Sequence, residues 1–190
     1  MGLRVAISPG HGGKRIGAVY DGVLEKDLNL SISLFLDYEL KAHGFESVLL
    51  REKDEYVQLS KRVYRVNTEK IDLFISIHCD ALENPSAIGA TTFIYDRPGI
   101  NTIQAARLLK KQFIKNFPKR HSRGVERSGY YVLEATRPPA ILFECGFMSN
   151  PDELRFLKKA ENQKDLAVMI RMALDKYRKY LEEVNYEFLE

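Results

Sequence analysis

The sequence contains few cysteines. It has two in 190 residues, Cys79 and Cys145, too few for the disulfide framework of a small secreted domain. A free cysteine behaves as a small buried hydrophobic residue, so we expect both in the core; a disulfide or a thiolate ligand is the alternative. A cysteine nucleophile is disfavoured, because it needs a histidine base beside it and successive residues of a strand point to opposite faces.

Long hydrophobic runs are also missing. No stretch is long enough to span a membrane, and the apolar run in residues 1–8 is too short for the core of a secretory signal. We therefore expect no membrane span, and a protein that stays where it is made, is released by lysis, or has lost a leader. The net charge of +3 is small, and no basic stripe with stacking aromatics is present, so we expect no nucleic-acid partner.

Two familiar functional patterns are absent. The sequence has no GxSxG elbow, which disfavours serine-hydrolase chemistry. The segment Gly10-His11-Gly12-Gly13 has neither the GxGxxG nor the GxxxxGK[ST] spacing, which disfavours a nucleotide site there.

Apolar segments of strand length alternate with segments of helical periodicity. Leu3–Ser8, Phe45–Leu50 and Ile71–His78 are predicted strands, with the last one central, and a long helix is predicted to begin at Glu25. This alternation predicts an α/β fold with a twisted, mostly parallel sheet flanked by helices on both faces. No linker, repeat or low-complexity segment interrupts it, so residues 1–190 are predicted to form a single domain.

The second half of the chain carries weaker patterns. Gly89–Tyr95 alternates and is β-branched, which predicts a strand near a sheet edge. Lys119–Ser128 is basic and contains glycine, so we expect a mobile loop, and Tyr130–Leu133 is predicted as a short strand.

Three charged residues lie at and after the end of the second predicted strand. Arg51, Asp54 and Arg62 are interpreted as an ion-pair set that pins a polar loop to the following helix. The alternative is three solvated charges.

Three predicted strands end in residues with catalytic potential. His11 lies in the glycine-rich turn after the first strand, His78 ends the third, and Glu144 follows the apolar run Ala140–Phe143. A charge at the end of a buried strand is costly unless it is paired, bound to metal or used in chemistry. Ligands of open α/β sheets bind at the carboxyl ends of the strands, so we expect one site.

Zinc hydrolases commonly use three ligands from histidine and carboxylate and leave one position open for water. His11, Glu25 and His78 supply such a set, although Glu25 alone resembles an ordinary first-turn helix acid and His78 alone a core histidine. Glu144 is then a fourth group, best used as a general base.

Five segments, in order, resemble the zinc-dependent N-acetylmuramoyl-L-alanine amidases of the family-3 type. Each motif is weak alone, but the five together cover nearly the whole chain. They are Ser8-Pro9-Gly10-His11-Gly12-Gly13, Glu25-Lys26-Asp27-Leu28-Asn29-Leu30, Leu59-x-x-Arg62-x-x-x-Val66-Asn67, Leu73-Phe74-Ile75-Ser76-Ile77-His78-Cys79-Asp80-Ala81 and Phe143-Glu144-Cys145-Gly146-Phe147-Met148-Ser149-Asn150-Pro151.

The resemblance implies a function at the bacterial cell wall. It implies hydrolysis of the amide bond between N-acetylmuramic acid and L-alanine in peptidoglycan, with His11, Glu25 and His78 as zinc ligands and Glu144 as the catalytic carboxylate. The expected partner is a glycan strand with its peptide stem, and the expected form is a monomeric catalytic domain over residues 1–190. A zinc peptidase that cuts stem peptides and a non-catalytic wall-binding module are the alternatives; the intact set of four residues disfavours the module.

The sequence departs from the family pattern at two positions. The family usually has Asp where Ser8 stands and Asn where Asp80 stands, which leaves the support around the metal and the substrate contacts open. The short Asp80–Gly89 segment leaves no room for the inhibitory helix that some members insert there, so we expect an open site.

Overall fold

A six-stranded sheet with order β4-β1-β5-β8-β6-β7 forms the centre of the structure. The computed structural model describes residues 2–187, with side-chain environments through residue 184; residues 1 and 188–190 of the predicted domain lie outside the described residues. The strands in the described part of the chain are β1 (Arg4–Pro9), β2 (Val19–Tyr20), β3 (Val23–Leu24), β4 (Glu46–Leu49), β5 (Leu73–Asp80), β6 (Ala90–Ile94), β7 (Ser122–Arg127) and β8 (Ala140–Phe147).

Parallel pairing brings the carboxyl ends of four strands to the same end of the sheet. β1 pairs in parallel with β4 and β5, and β5 pairs in parallel with β8. β6 runs antiparallel to β8, and β7 runs parallel to β6. β5 therefore lies in the interior of the sheet, as predicted, while β2 and β3 form a separate small hairpin.

Helices cover both faces of the sheet, which confirms the predicted α/β architecture. The larger core packs α1, α3, α5 and α6 on one face, and a smaller core packs α2 and α4 on the other. Within residues 2–187 no helix is both long and apolar enough to cross a membrane. The helices are α1 (Glu25–Ala42), α2 (Leu59–Thr68), α3 (Ile100–Asn116), α4 (Tyr131–Glu134), α5 (Pro151–Leu157) and α6 (Ala160–Glu187).

The two-residue period of the strands decides which residues face the smaller core. Phe74 of β5 and Leu142 of β8 belong to that core, so Ser76, His78 and Glu144, at even spacing from them, lie on the same face. The intervening Ile77 and Phe143 belong to the larger core. Because the smaller core ends before the carboxyl ends of these strands, polar side chains can line a cavity there.

Two predicted elements are wrong. Tyr130–Leu133 is not a strand: residues 131–134 form the short helix α4, with backbone bonds from Leu133 N to Tyr130 O (2.8 Å) and from Ala135 N to Tyr131 O (2.9 Å). The aromatic and β-branched content suggested a strand, but the segment instead lays Val132 and Leu133 on the face of the sheet.

The predicted loop Lys119–Ser128 contains the edge strand β7, which pairs with β6. The charged residues of β7 made this strand hard to predict, since a half-exposed edge strand tolerates charges that an interior strand does not. β6 accordingly lies one strand inside the edge.

Glu153 of α5 fastens the end of β8 to the loop before β6. Its buried carboxylate accepts hydrogen bonds from Phe147 N (2.7 Å) and Gly89 N (3.0 Å), and Arg120 lies 3.4 Å away. Two buried backbone donors therefore depend on one side chain.

We predict that Glu153→Ala lowers the free energy of unfolding by about 3 kcal/mol, because an unsatisfied buried donor costs roughly 1–3 kcal/mol. Urea denaturation measures this. Asp152→Ala, at an exposed position of the same helix, is the control and should change stability by less than about 0.5 kcal/mol. Equal effects of the two substitutions would contradict the fastening role.

Candidate metal centre

The structure brings together the three residues predicted as ligands. His11 follows β1, Glu25 is the first residue of α1, and His78 lies near the end of β5. One potential ligand atom from each lies within 4.8 Å of the others. His11 Nε2 is 3.0 Å from Glu25 Oε2, and His78 Nδ1 is 3.1 Å from Glu25 Oε1. This group could hold a metal ion.

Glu25 is held as a carboxylate. Burial alone would raise its pKa, but hydrogen bonds with His11 and His78 outweigh burial and lower the pKa of Glu25 well below its usual range. Ala18 N donates to Oε2 at 3.0 Å, and Asn29 Nδ2 donates to Oε1 at 3.0 Å. The carboxylate is therefore fixed from several directions before any ligand arrives.

Two glycines allow the backbone to pass close to these side chains. A Cβ on Gly10 would lie 2.5 Å from His78 Nδ1 and 2.6 Å from Nε2. A Cβ on Gly17 would lie 2.8 Å from Glu25 Cβ and 2.9 Å from His11 Cδ2, and Gly17 also has a φ of 71°. Any larger residue at either position would displace a side chain of the cluster.

The predicted ion-pair set of Arg51, Asp54 and Arg62 is wrong. Asp54 pairs with Lys26 at 2.6 Å and accepts from Gly13 N at 2.7 Å. The two arginines are instead 1% and 2% exposed, and burial lowers the pKa of Arg62 to about 10, so it remains charged at neutral pH. Their partners are uncharged oxygens: Gly10 O, Lys26 O and Lys53 O for Arg51, and Ser8 Oγ, Pro9 O, His11 O and Val57 O for Arg62.

Glu144 lies beside His78. The two residues are register partners on the parallel strands β5 and β8. Glu144 is 8% exposed, and its Oε2 has no hydrogen-bond partner among the described residues. Burial, followed by the charges of Asp80 and Glu25, raises the pKa of Glu144 well above its usual range. A carboxyl group with a raised pKa in a cavity is a candidate for proton transfer.

A cavity of about 560 Å³ joins these residues. His11, Glu25, His78 and Glu144 all line it. Its walls include Tyr56, before α2, and Tyr130 and Tyr131, at the start of α4. The sequence analysis missed these tyrosines as cavity residues, because it placed two of them in a strand and gave no signal for the third.

The chain was compared with known families and proteins. A family model described as N-acetylmuramoyl-L-alanine amidase matches residues 5–176. The chain belongs to this amidase family. The resemblance inferred from the five motifs is thereby confirmed.

Some relatives of this amidase-family chain match it over nearly their whole length, and others are much longer than the matched region. It is 33% identical over 162 residues to the N-acetylmuramoyl-L-alanine amidase LytC of Bacillus subtilis, covering 84% of this chain and 32% of LytC. The solved structure of the amidase AmiC2 of Nostoc punctiforme matches with a TM-score of 0.88 and 32% identity, covering 93% of this chain and 97% of that one. The CwlD amidase from Clostridioides difficile, solved in complex with the GerS lipoprotein, matches with a TM-score of 0.90 and 26% identity, covering 94% and 99%.

Ser8 and Asp80, the two departures from the amidase pattern, both have hydrogen-bond partners in the structure. Ser8 Oγ accepts from Arg62 Nη1 at 2.8 Å, so at the first departure a hydroxyl lies beside this buried cation. Asp80 Oδ1 accepts from Ala81 N at 2.7 Å, and burial raises the pKa of Asp80. Ser8 and Asp80 both line the cavity.

The two cysteines are free and buried, as expected. Cys79 and Cys145 belong to the larger core, on the face of the sheet opposite to His78 and Glu144. The backbone N of Cys79 donates to Glu25 Oε1 at 3.4 Å.

We predict that Gly10→Ala weakens binding of a divalent metal by at least about tenfold, because the new methyl group must displace the His78 ring. Ligand-support changes commonly cost 10–100-fold in metal affinity. Isothermal titration with zinc measures it. Gly99→Ala is the matched control, since Gly99 also has a negative φ of −68° and its Cβ would meet open space. Unchanged affinity in folded Gly10→Ala would contradict the close approach.

Proposed function

We propose that this chain is a zinc-dependent N-acetylmuramoyl-L-alanine amidase that hydrolyses the bond between N-acetylmuramic acid and L-alanine in peptidoglycan. The observation that carries the proposal is the convergence of His11, Glu25 and His78 beside Glu144 in a member of the amidase family. We further propose that residues 1–190 form the catalytic domain, that it acts as a monomer, and that it acts at the cell wall.

The donor set fits zinc. Two imidazole nitrogens and one carboxylate are common ligands of catalytic zinc. One potential ligand atom from each residue lies within 4.8 Å of the others, so His11, Glu25 and His78 would hold the ion together. Zinc bound there would polarise the scissile carbonyl and lower the pKa of an attacking water toward about 7.

Glu144 is the proposed proton carrier. Glu144 lines the cavity, and no donor among the described residues bonds to its Oε2, so its carboxylate is available to accept the proton that the attacking water releases. The same carboxyl group then gives that proton to the nitrogen of L-alanine as the carbon–nitrogen bond breaks. The products are a muramic acid carboxyl group and a free L-alanine amino group, so atoms and charge balance.

The cavity is compatible with a branched substrate. In the described part of the chain, only loop segments and β6 lie between β5 and α3, so this connection adds no helix to the cavity. The exposed tyrosines at the cavity wall present flat aromatic rings and a hydroxyl group that stays hydrated, which suits contact with sugar or peptide.

The division of roles between ligands and proton carrier can be tested by substitution. We predict that His78→Ala loses zinc, whereas Glu144→Gln retains zinc but loses about 100-fold or more of its activity, the usual size of a lost general base. Metal content by mass spectrometry and peptidoglycan turnover measure the two effects. Glu126→Gln, at an exposed position of β7, should leave both unchanged; near-native turnover of Glu144→Gln would refute its role.

The bond that is cut can be identified from the products. We predict that the purified protein alone digests isolated peptidoglycan, that a chelator stops it, and that each cleavage exposes a new L-alanine amino group. End-group labelling followed by mass spectrometry detects that group. A new end within the stem peptide would indicate a zinc peptidase instead, and cleavage only after addition of a second protein would contradict the open site.

A further inference from the structure

The backbone that carries His11 has an unusual conformation. His11, Gly12 and Gly13 have φ values of 58°, 123° and 54°. Two of these residues are glycines, which adopt positive φ readily, but His11 is not. A side-chain-bearing residue keeps such a conformation only when its surroundings determine it. The His11 conformation therefore needs support from outside the turn.

That support is a set of donors to successive carbonyl groups. No carbonyl between Pro9 and Gly13 lacks a donor, and most of the donors are cationic side chains. The bonds are Arg62 Nη1 to Pro9 O (2.5 Å), Arg51 Nη2 to Gly10 O (3.0 Å), Arg62 Nη2 to His11 O (2.7 Å), Arg15 N to Gly12 O (3.1 Å) and Lys26 Nζ to Gly13 O (3.2 Å).

Arg62 is the member of this set that contacts His11 itself. Its planar guanidinium bridges Pro9 O and His11 O, on either side of Gly10, and its Nε is tied to Val57 O at 3.1 Å. The side chain is buried on α2 and therefore cannot swing away. A guanidinium can span two carbonyl groups with fixed geometry, whereas a lysine ammonium is a point donor.

The charge of Arg62 cannot itself favour a metal cation, because like charges repel. Its hydrogen bonds with the three oxygen atoms of Ser8, Pro9 and His11 can act only through the position of the backbone. Any benefit to a metal centre must therefore be geometric.

We propose that Arg62 is a positioning residue that holds the His11 backbone in its left-handed conformation and so aims the imidazole at the metal. The proposal rests on the proposed zinc site. All three nitrogens of its guanidinium donate to protein oxygens, so Arg62 acts through the carbonyl groups of Pro9 and His11.

Zinc affinity of the folded protein tests the proposal. Arg62→Met keeps the length of the side chain and removes its donors. Arg62→Lys keeps the charge but cannot span two carbonyl groups with fixed geometry. Arg65→Met is the matched control. Arg65 lies one turn along α2 and pairs with Glu69 at 2.8 Å, away from the His11 turn. Competition with a chromophoric chelator gives the affinity, and circular dichroism verifies folding of each variant.

We expect Arg62→Met and Arg62→Lys each to bind zinc roughly 10- to 100-fold more weakly than the wild type, the usual effect of losing a residue that orients a ligand. The visible absorption of the cobalt-substituted protein should also change, since it reports ligand geometry. Arg65→Met should keep wild-type affinity and spectrum. A role in stability alone would lower the melting temperature without moving either readout.

The outcomes separate this proposal from the function on which it rests. Wild-type zinc affinity and cobalt spectrum in folded Arg62→Met would overturn the positioning role; if that variant does not fold, Arg62→Lys decides. Wild-type zinc affinity and cobalt spectrum in Arg62→Lys would show that the charge matters and the two-carbonyl geometry of the guanidinium does not, which would also overturn the positioning role. A wild-type protein that binds no zinc would overturn the proposed zinc site itself, and the positioning role with it.

Discussion

A buried carboxylate keeps its charge only where the fold surrounds it with donors, and Glu25 is the group around which this domain is arranged. The donors come from separate elements: Ala18 N from the loop before α1, Asn29 from the next turn of that helix, and Cys79 N from β5. The two histidines complete the set. A shift of any of these elements would leave the charge unsatisfied, so the sheet edge, the loop and the helix start are fixed together.

This arrangement explains why glycines lie where the backbone passes the cluster of Glu25 and the two histidines. Gly10 and Gly17 bring the chain against His78 and Glu25, where a Cβ would not fit. Small residues leave the carbonyl groups of the turn without neighbours, and a buried carbonyl needs a donor. Arg51 and Arg62 supply these donors, which accounts for two buried guanidinium groups that form no salt bridge with a carboxylate among the described residues. The close approach of the backbone to the cluster and the burial of the two arginines thus both follow from the need to surround Glu25 with donors.

The sequence predicted the parts of the structure that follow from local patterns. Buried parallel strands show continuous apolar runs, so β1, β5 and β8, and with them the positions of His11, His78 and Glu144, could be found. The local pattern placed Glu25 at the helix start. Its assignment to the ligand set rested on the donor set of zinc hydrolases and on the resemblance to the amidases, because only tertiary packing brings it to the histidines. β7 was missed because an edge strand carries charges, and α4 because four residues are too few to show a helical period. Arg51 and Arg62 were misjudged because carbonyl partners leave no trace in a sequence.

Glu25 and Glu144 show how one sheet edge can give two carboxyl groups opposite properties. Both are nearly buried, and burial alone would raise the pKa of each. Glu25 receives hydrogen bonds from two imidazoles, so its pKa falls and it stays ionised. Glu144 has an oxygen without a partner among the described residues and faces the negative charges of Asp80 and Glu25, so its pKa rises. Groups whose surroundings separate their pKa values in this way can divide ligation from proton transfer. Because Glu25 and Glu144 differ in partners rather than in burial, their roles follow from the donors that reach each one.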